Sequence, residues 1–369
     1  MKKFKVLYIV NVPAPYMVNY FNELGKLVEL TVIFEKDTST ERDKSWSEYR
    51  FDNFKGIILK GISTAPDAAF CPSVIKTLKN AREFDFIFIS SMATPTGIMA
   101  ILNLRRRGIP YILESEGGFA KSGKGLKEGI KRFIMKGADK YFSTSPIGDN
   151  YFMTYGALAD SFVKYPFTSI YEKDIASDVA TLEERASLRE KLGMSEKKIV
   201  LAVGQFIHRK GFDVLMEAAK SLPEDIGVYF VGGEPTEEYL KFKEDFGLKQ
   251  LHFVGFLSKE ELSEFYRASD VFVLPTREDC WGLVINEAMA CGLPVISTDM
   301  CIAGVELVTD DVNGYILPIE DSVALATAIE KTLASEEKRA AMGRASLERI
   351  RWYTFESMAE IHHTYFGDA

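Results

Sequence analysis

Two carboxylates, Asp279 and Glu287, stand eight residues apart in the stretch VFVLPTREDCWGLVINEAMACGLPVISTD, residues 271–299. The apolar run 271–274 has the composition of a strand buried on both faces, and Pro275 ends it. From Leu283 the apolar residues Leu283, Ile285, Ala288 and Met289 recur at helical spacing until Gly292-Leu293-Pro294 stops the helix. Asp279 therefore sits in a loop over a helix N-terminus, and Glu287 a little over one turn inside. Free N–H groups and the positive end of the macrodipole attract phosphate at such a terminus. Carboxylates beside it suit hydroxyls instead, so the pattern fits a sugar joined to a diphosphate. A strand and capped helix with no ligand would carry the same elements.

The elements that must position these groups are legible around them. Strands are expected at 5–10, 28–34, 57–59, 85–90, 110–114, 140–144 and 161–165, with helices from Tyr16, at 72–82, at 95–107 and after Pro146. Strands separated by helices of this length imply a parallel, doubly wound sheet, which binds ligands beyond the carboxyl ends of its strands. A polar stretch around Trp46 interrupts the alternation. After residue 165 a polar crossing leads to a helix at 182–192 and then a second series: strands 197–206, 227–231 and 251–254, then the 271–299 unit. Helices at 321–335 and 336–350 follow, and a last helix from Thr354 carries Phe355, Met358, Ile361 and Tyr365 on one stripe.

The spacing Asp279-x7-Glu287, followed by Ala288-Met289-Ala290-x-Gly292-x-Pro294-Val295-Ile296, resembles the signature of the family 4 retaining glycosyltransferases. That resemblance implies the GT-B fold: two Rossmann-like α/β domains facing a cleft, with a C-terminal helix crossing back to the first. The expected boundaries are 1–170 for an acceptor-side domain, 171–195 for a linker, 196–352 for a nucleotide-sugar domain and 353–369 for the returning helix. It also implies roles. Asp279, with Asp where the family has Glu, would touch the donor sugar, with Glu278 as the neighbouring candidate. Glu287 would hold the ribose, and Cys280, Trp281, Gly282 and Leu283 would line the diphosphate. A second similarity lies in GQFIHRKGFD, where Lys210-Gly211 matches the Lys-Gly that precedes a helix and clamps the diphosphate. The family's arginine position holds Gln205, so Arg209 is expected as the second cation, because two phosphates call for more than one positive charge. Phe256, after the strand 251–254, would meet the base. Pro15 and Tyr16 stand in the first loop, under the donor phosphates, where the family usually has glycines. Glu114, Glu116 and Gly117 are expected on the acceptor side, where the family often offers a histidine; here the earliest histidine is His208.

The implied reaction moves a sugar with retention from a UDP- or GDP-sugar to a carbohydrate or lipid-linked acceptor hydroxyl, as in surface polysaccharide or glycolipid synthesis. No cofactor is expected. No Asp-x-Asp pair occurs in the chain, so no metal is expected to be required either. Two other readings stay open: an epimerase of sugar nucleotides on the same fold, and a non-catalytic sugar-nucleotide-binding module. Gly118 to Lys124 fits the first seven positions of a P-loop, but the eighth, which must be Ser or Thr to ligate magnesium, is Gly125.

Composition bounds the rest. With 369 residues and 47% apolar content the chain suits two domains with their own cores. A net charge of -8 argues against a nucleic-acid partner. The four cysteines, Cys71, Cys280, Cys291 and Cys301, form no CxxC pair and are expected as thiols in a cytoplasmic protein. No apolar run of 18 residues occurs. Residues 121–140 hold seven basic and two acidic side chains around an apolar stripe of Leu126, Ile130, Phe133 and Ile134, which is expected to pack on the sheet. The basic face would then meet an anionic membrane or a phospholipid-like acceptor at the inner leaflet, or remain a solvated surface.

Overall fold

A computed structural model describes residues 3–38, 49–120, 123 and 125–369. The polar stretch around Trp46 and, within the basic segment, Lys121, Ser122 and Lys124 lie outside the described residues. The chain divides into two compact units, residues 1–168 with 354–369, and residues 169–353.

The first unit is built on a seven-stranded parallel sheet in the order Lys55–Ile58, Glu29–Phe34, Lys5–Val10, Phe86–Ile89, Ile112–Ser115, Lys140–Ser143, Phe162–Lys164. Lys5–Val10, an inner strand of this sheet, is buried along nearly its whole length, as expected where helices cover both faces. Helices enter at proline: Pro15–Leu27, Pro95–Arg106 with Thr94 accepting from Gly97 N at 3.0 Å, and Pro146–Thr154 with Ser145 accepting from Gly148 N at 3.2 Å. The helix expected at 72–82 is two pieces: Val74–Thr77 ends at Leu78 (φ -77°, ψ 2°), and the tighter turn Leu78–Glu83 is itself kinked at Asn80 (φ -97°, ψ 22°).

The returning helix, Phe355–Asp368, belongs to the first unit, where it packs on Pro15–Leu27. Its buried stripe is Phe355, Met358, Ala359, His362 and Phe366 rather than the expected one: Ile361 faces outward and a histidine takes the centre. The apolar stripe of Leu126–Met135 also departs from expectation. Ile134 is buried, but Ile130 and Phe133 are 49% and 63% exposed, so these two do not pack on the sheet as Ile134 does.

The second unit has a six-stranded parallel sheet, ordered Leu251–Val254, Ile226–Val231, Lys198–Val203, Val271–Leu274, Val295–Thr298, Gly314–Leu317. Helix Leu182–Leu192, within the segment read as a linker, starts with a capping box between Thr181 and Glu184 and ends at Gly193. It is fastened into this unit by Arg189, which donates to Asp270 at 2.6 Å, and by the buried Arg185, which donates to Glu336 at 2.8 Å.

Candidate functional site

The carboxyl ends of Lys198–Val203 and Val271–Leu274, adjacent in the second sheet, carry the two loops that the sequence singles out. After the first strand the chain makes a short turn, His208–Lys210, and closes it with Gly211 before helix Phe212–Ala219. Gly211 is left-handed (φ 67°), and a Cβ there would lie 2.0 Å from Pro275 O, so only glycine lets the two loops touch. After the second strand, Thr276–Gly282 leads into helix Leu283–Ala290.

Contact between these loops brings the predicted charges together. Lys210 Nζ lies 2.6 Å from Asp279 Oδ2, and Arg209 is 3.2 Å from Asp279 Oδ1 while donating to Glu278 O at 2.9 Å. Asp279, rather than Glu278, is thus the acid whose carboxylate joins both cations. Arg209 stands in the same cluster as Lys210, whereas the exposed Gln205 lies at the preceding bend. The Lys210 side chain is mostly buried, at 13% exposure, which is unlike a surface lysine.

The loop 276–282 is sewn down on its other side as well. Asp279 N donates to Met300 O (2.9 Å), Ile302 N to Asp279 O (3.3 Å), and Ala303 N to Trp281 O (2.9 Å). The Cys301 thiol, pushed up to about 12 chiefly by burial, also donates to Trp281 O at 3.1 Å. The indole of Trp281 is buried and donates to the buried Asn286 Oδ1 at 2.8 Å. That pair ties the loop to the helix it precedes. Gly282 caps the helix in a left-handed conformation (φ 103°), and a Cβ there would meet Cys301 Sγ at 2.8 Å. At the start of Leu283–Ala290, Ile285 N donates to Gly282 O at 2.9 Å; N–H groups of a helix's first residues lack partners within the helix, and such a terminus suits an anion. Cys280 is exposed and Leu283 half-buried at its rim.

Glu287, one turn further, has both oxygens engaged: Oε1 accepts from Ser169 Oγ at 3.0 Å and Oε2 from Tyr266 OH at 3.2 Å. Desolvation by burial raises its pKa above the usual carboxylate range, against the pull of those two hydroxyls. Phe256 lies beyond the end of Leu251–Val254 and is 58% exposed, an aromatic face open to a ligand.

The remaining predicted residues belong to the first unit. Pro15 opens helix Pro15–Leu27, and Tyr16 OH donates to Glu116 Oε1 at 2.9 Å. Gly117 follows with φ 140°, its N–H donating to Ser115 Oγ at 3.2 Å. Glu114 departs from the acceptor-side expectation. It is 3% exposed, and its Oε2 accepts from Tyr8 OH at 3.0 Å and meets His362 Nε2 at 3.2 Å, so that oxygen is engaged inside the unit. His362 Nδ1 lies 2.8 Å from the Met358 carbonyl, to which it donates. Sequence reasoning missed this histidine because it lies in an otherwise apolar stripe.

Residues 184–349 match the family model described as glycosyl transferases group 1. The curated relatives include D-inositol 3-phosphate glycosyltransferase of Xylanimonas cellulosilytica, 33% identical over 46% of this chain and 42% of that protein. Another is the GDP-mannose-dependent alpha-(1-6)-phosphatidylinositol monomannoside mannosyltransferase of Mycolicibacterium smegmatis, 31% identical over 47% and 49%. The chain thus spans less than half the length of these relatives in the matched region. Among solved structures, HepE of Anabaena in complex with UDP is similar at a TM-score of 0.80 and 16% identity, over 99% of this chain and 100% of that one. Sucrose-phosphate synthase of Thermosynechococcus elongatus is similar at 0.78 and 20%, over 99% and 100%. At those identities the likeness is one of fold. The chain thus shares the GT-B fold of these structures, and its residues 184–349 match the model of the group 1 glycosyl transferases.

Proposed function

We propose that this protein transfers a sugar, with retention at the anomeric carbon, from a nucleoside diphosphate donor to an acceptor hydroxyl. The observation that carries the reading is the convergence of Lys210, Arg209 and Asp279 at the N-terminus of Leu283–Ala290. Two cations and free amides suit a diphosphate, and the adjacent carboxylate suits sugar hydroxyls. In the reaction the acceptor oxygen bonds to the anomeric carbon as the bond from that carbon to the diphosphate oxygen breaks. The acceptor proton passes to the departing diphosphate. Lys210, Arg209 and the helix terminus stabilise the charge that develops there, the work a divalent ion does elsewhere. Glu287 holds the ribose, and Phe256 meets the base.

The donor is a UDP- or GDP-sugar and the acceptor a glycan or glycolipid, in line with the relatives' names. Glu116 and Gly117 are assigned to acceptor binding, and Pro15 with Tyr16 to the first loop near the donor. Exposed Ile130 and Phe133, beside Lys131 and Arg132, suit contact with an anionic membrane surface. No helix of the described residues is long and apolar enough to cross one. The test is incubation with UDP- and GDP-sugars and a panel of glycan and lipid acceptors, with proton NMR of the new anomeric centre. Release of nucleoside diphosphate together with a retained anomer is expected. Consumption of donor without acceptor marks an epimerase, and donor binding without turnover across the panel marks a binding module.

A further inference from the structure

The turn His208–Lys210 carries both cations of the proposed clamp on three residues, so something must hold it. Arg277, on the facing loop, does so from three directions. Its NH1 donates to His208 O at 2.5 Å and to Asp213 Oδ1 at 2.9 Å, and its NH2 to Asp213 Oδ2 at 2.6 Å and Glu320 Oε2 at 3.0 Å. Nε donates to the other oxygen of Glu320. A guanidinium has five N–H groups, and these five contacts use all of them. Arg277 therefore has no donor left for a ligand, although it lies beside a cationic site.

Each acceptor belongs to a different part of the surroundings. His208 is in the turn itself; Asp213 is the second residue of the helix that follows it; Glu320 lies just beyond strand Gly314–Leu317. Asp213 stays charged: burial works against its carboxylate, but the Arg277 hydrogen bonds and charge outweigh that and lower its pKa. Glu320 is one of two non-glycine residues held at positive φ (64°) among the described residues. The main chain adds to the grip. Arg277 N and Thr276 Oγ1 both donate to Arg209 O, each at 2.8 Å.

We infer that Arg277, assisted by Thr276, is a positioning residue that holds the His208–Lys210 turn so that Lys210 and Arg209 meet a diphosphate, and that it does not touch the ligand itself. This rests on the reading of Lys210 and Arg209 as the diphosphate's cations. Lysine cannot replace it, since a point charge with three donors does not span two carboxylates and a carbonyl.

The test measures binding of UDP, GDP, uridine and guanosine to the wild type, Arg277→Lys, Arg277→Met and Lys210→Ala. Because Arg277→Met leaves Asp213 and Glu320 without their cation, the triple variant Arg277→Met/Asp213→Asn/Glu320→Gln is included as a charge-compensated form. For the diphosphate that binds the wild type, Arg277→Met and the triple variant should bind at least about 10-fold more weakly, with Arg277→Lys between. The matching nucleoside should bind all of them equally. Wild-type diphosphate affinity in the folded triple variant overturns the inference, as does an equal loss for nucleoside and diphosphate, which would mark a general structural role. Loss in Lys210→Ala with none in the Arg277 variants removes this inference alone. Undiminished diphosphate affinity in Lys210→Ala, or no binding of UDP or GDP to the wild type, removes the clamp reading beneath it.

Discussion

Lys210 Nζ sits 2.6 Å from Asp279 Oδ2 across 69 residues of chain, and both side chains are 13% exposed. The pair joins the two loops at the ends of neighbouring parallel strands, so the same contact bears on stability and on chemistry.

Lys210→Ala should lower kcat/KM by about 100-fold or more, the usual loss when a donor aimed at developing negative charge is removed. It should also lower Tm by several degrees, because Asp279 is left with Arg209 as its cation; stranding a partly buried charge costs about 1–3 kcal/mol, and each kcal/mol is worth about 2–4 °C in a unit of this size. Adding Asp279→Ala should restore Tm without restoring turnover. A thermal melt and steady-state kinetics on both variants check this, and wild-type turnover in Lys210→Ala would refute the proposed clamp.

Glu287 has a pKa raised by burial, so the folded state holds its proton more tightly than the unfolded chain. The stability this contributes is fully present below the unfolded value, near 4.3, and is lost as pH rises through the higher folded value. At neutral pH the charged carboxylate is therefore a cost, and Glu287→Gln should raise Tm. Ser169 and Tyr266 hydroxyls accept as well as donate, so they tolerate the new amide. The same change should weaken nucleoside diphosphate binding about 10-fold through the ribose hydroxyls. In the wild type that affinity should fall as pH drops through the raised pKa, and a 2′,3′-dideoxy analogue should lack this slope. A slope unchanged in Glu287→Gln counts against the assignment.

Turnover should survive chelation, because the chain carries no Asp-x-Asp pair and Lys210, Arg209 and the helix amides stand where a metal's charge would act. Assays in excess EDTA check it. Complete loss, restored by magnesium or manganese, is the contrary result.

Binding to anionic vesicles should be measurable at low salt and weaken as ionic strength rises. Replacing Ile130 and Phe133 with serine, or reversing Lys124, Lys127 and Lys131 to glutamate, should each reduce it in a flotation assay. If neither does, the face is simply solvated.

The second unit was the more legible half. Pro275, Gly211, Gly282 and the acids of 278–287 punctuate strand ends and a helix start, so local chemistry marked the two loops, while the roles of Lys210, Arg209 and the acids came from the family resemblance. What local chemistry lacks is partner choice. Nothing in the order of residues couples Lys210 to Asp279 or Arg277 to Asp213 and Glu320, since those pairings arise only when parallel strands place their carboxyl ends side by side. Periodicity likewise aligned Ile130 and Phe133 with Ile134 on one stripe but carried no sign of how much of it the sheet covers. At Glu114 the residue type suited a ligand site, yet a histidine 248 positions later claims it.

The first unit is discontinuous, leaving the chain at Thr168 and regaining it at Thr354. Phe88 and Phe142 contact residues of the returning helix, Phe366 at 5.9 Å and His362 at 4.7 Å between ring centres. On the ribosome this sets an order. The whole of the second unit must emerge before the first can cover its own sheet, so the unit that begins synthesis first finishes folding last, holding an open aromatic face in the meantime.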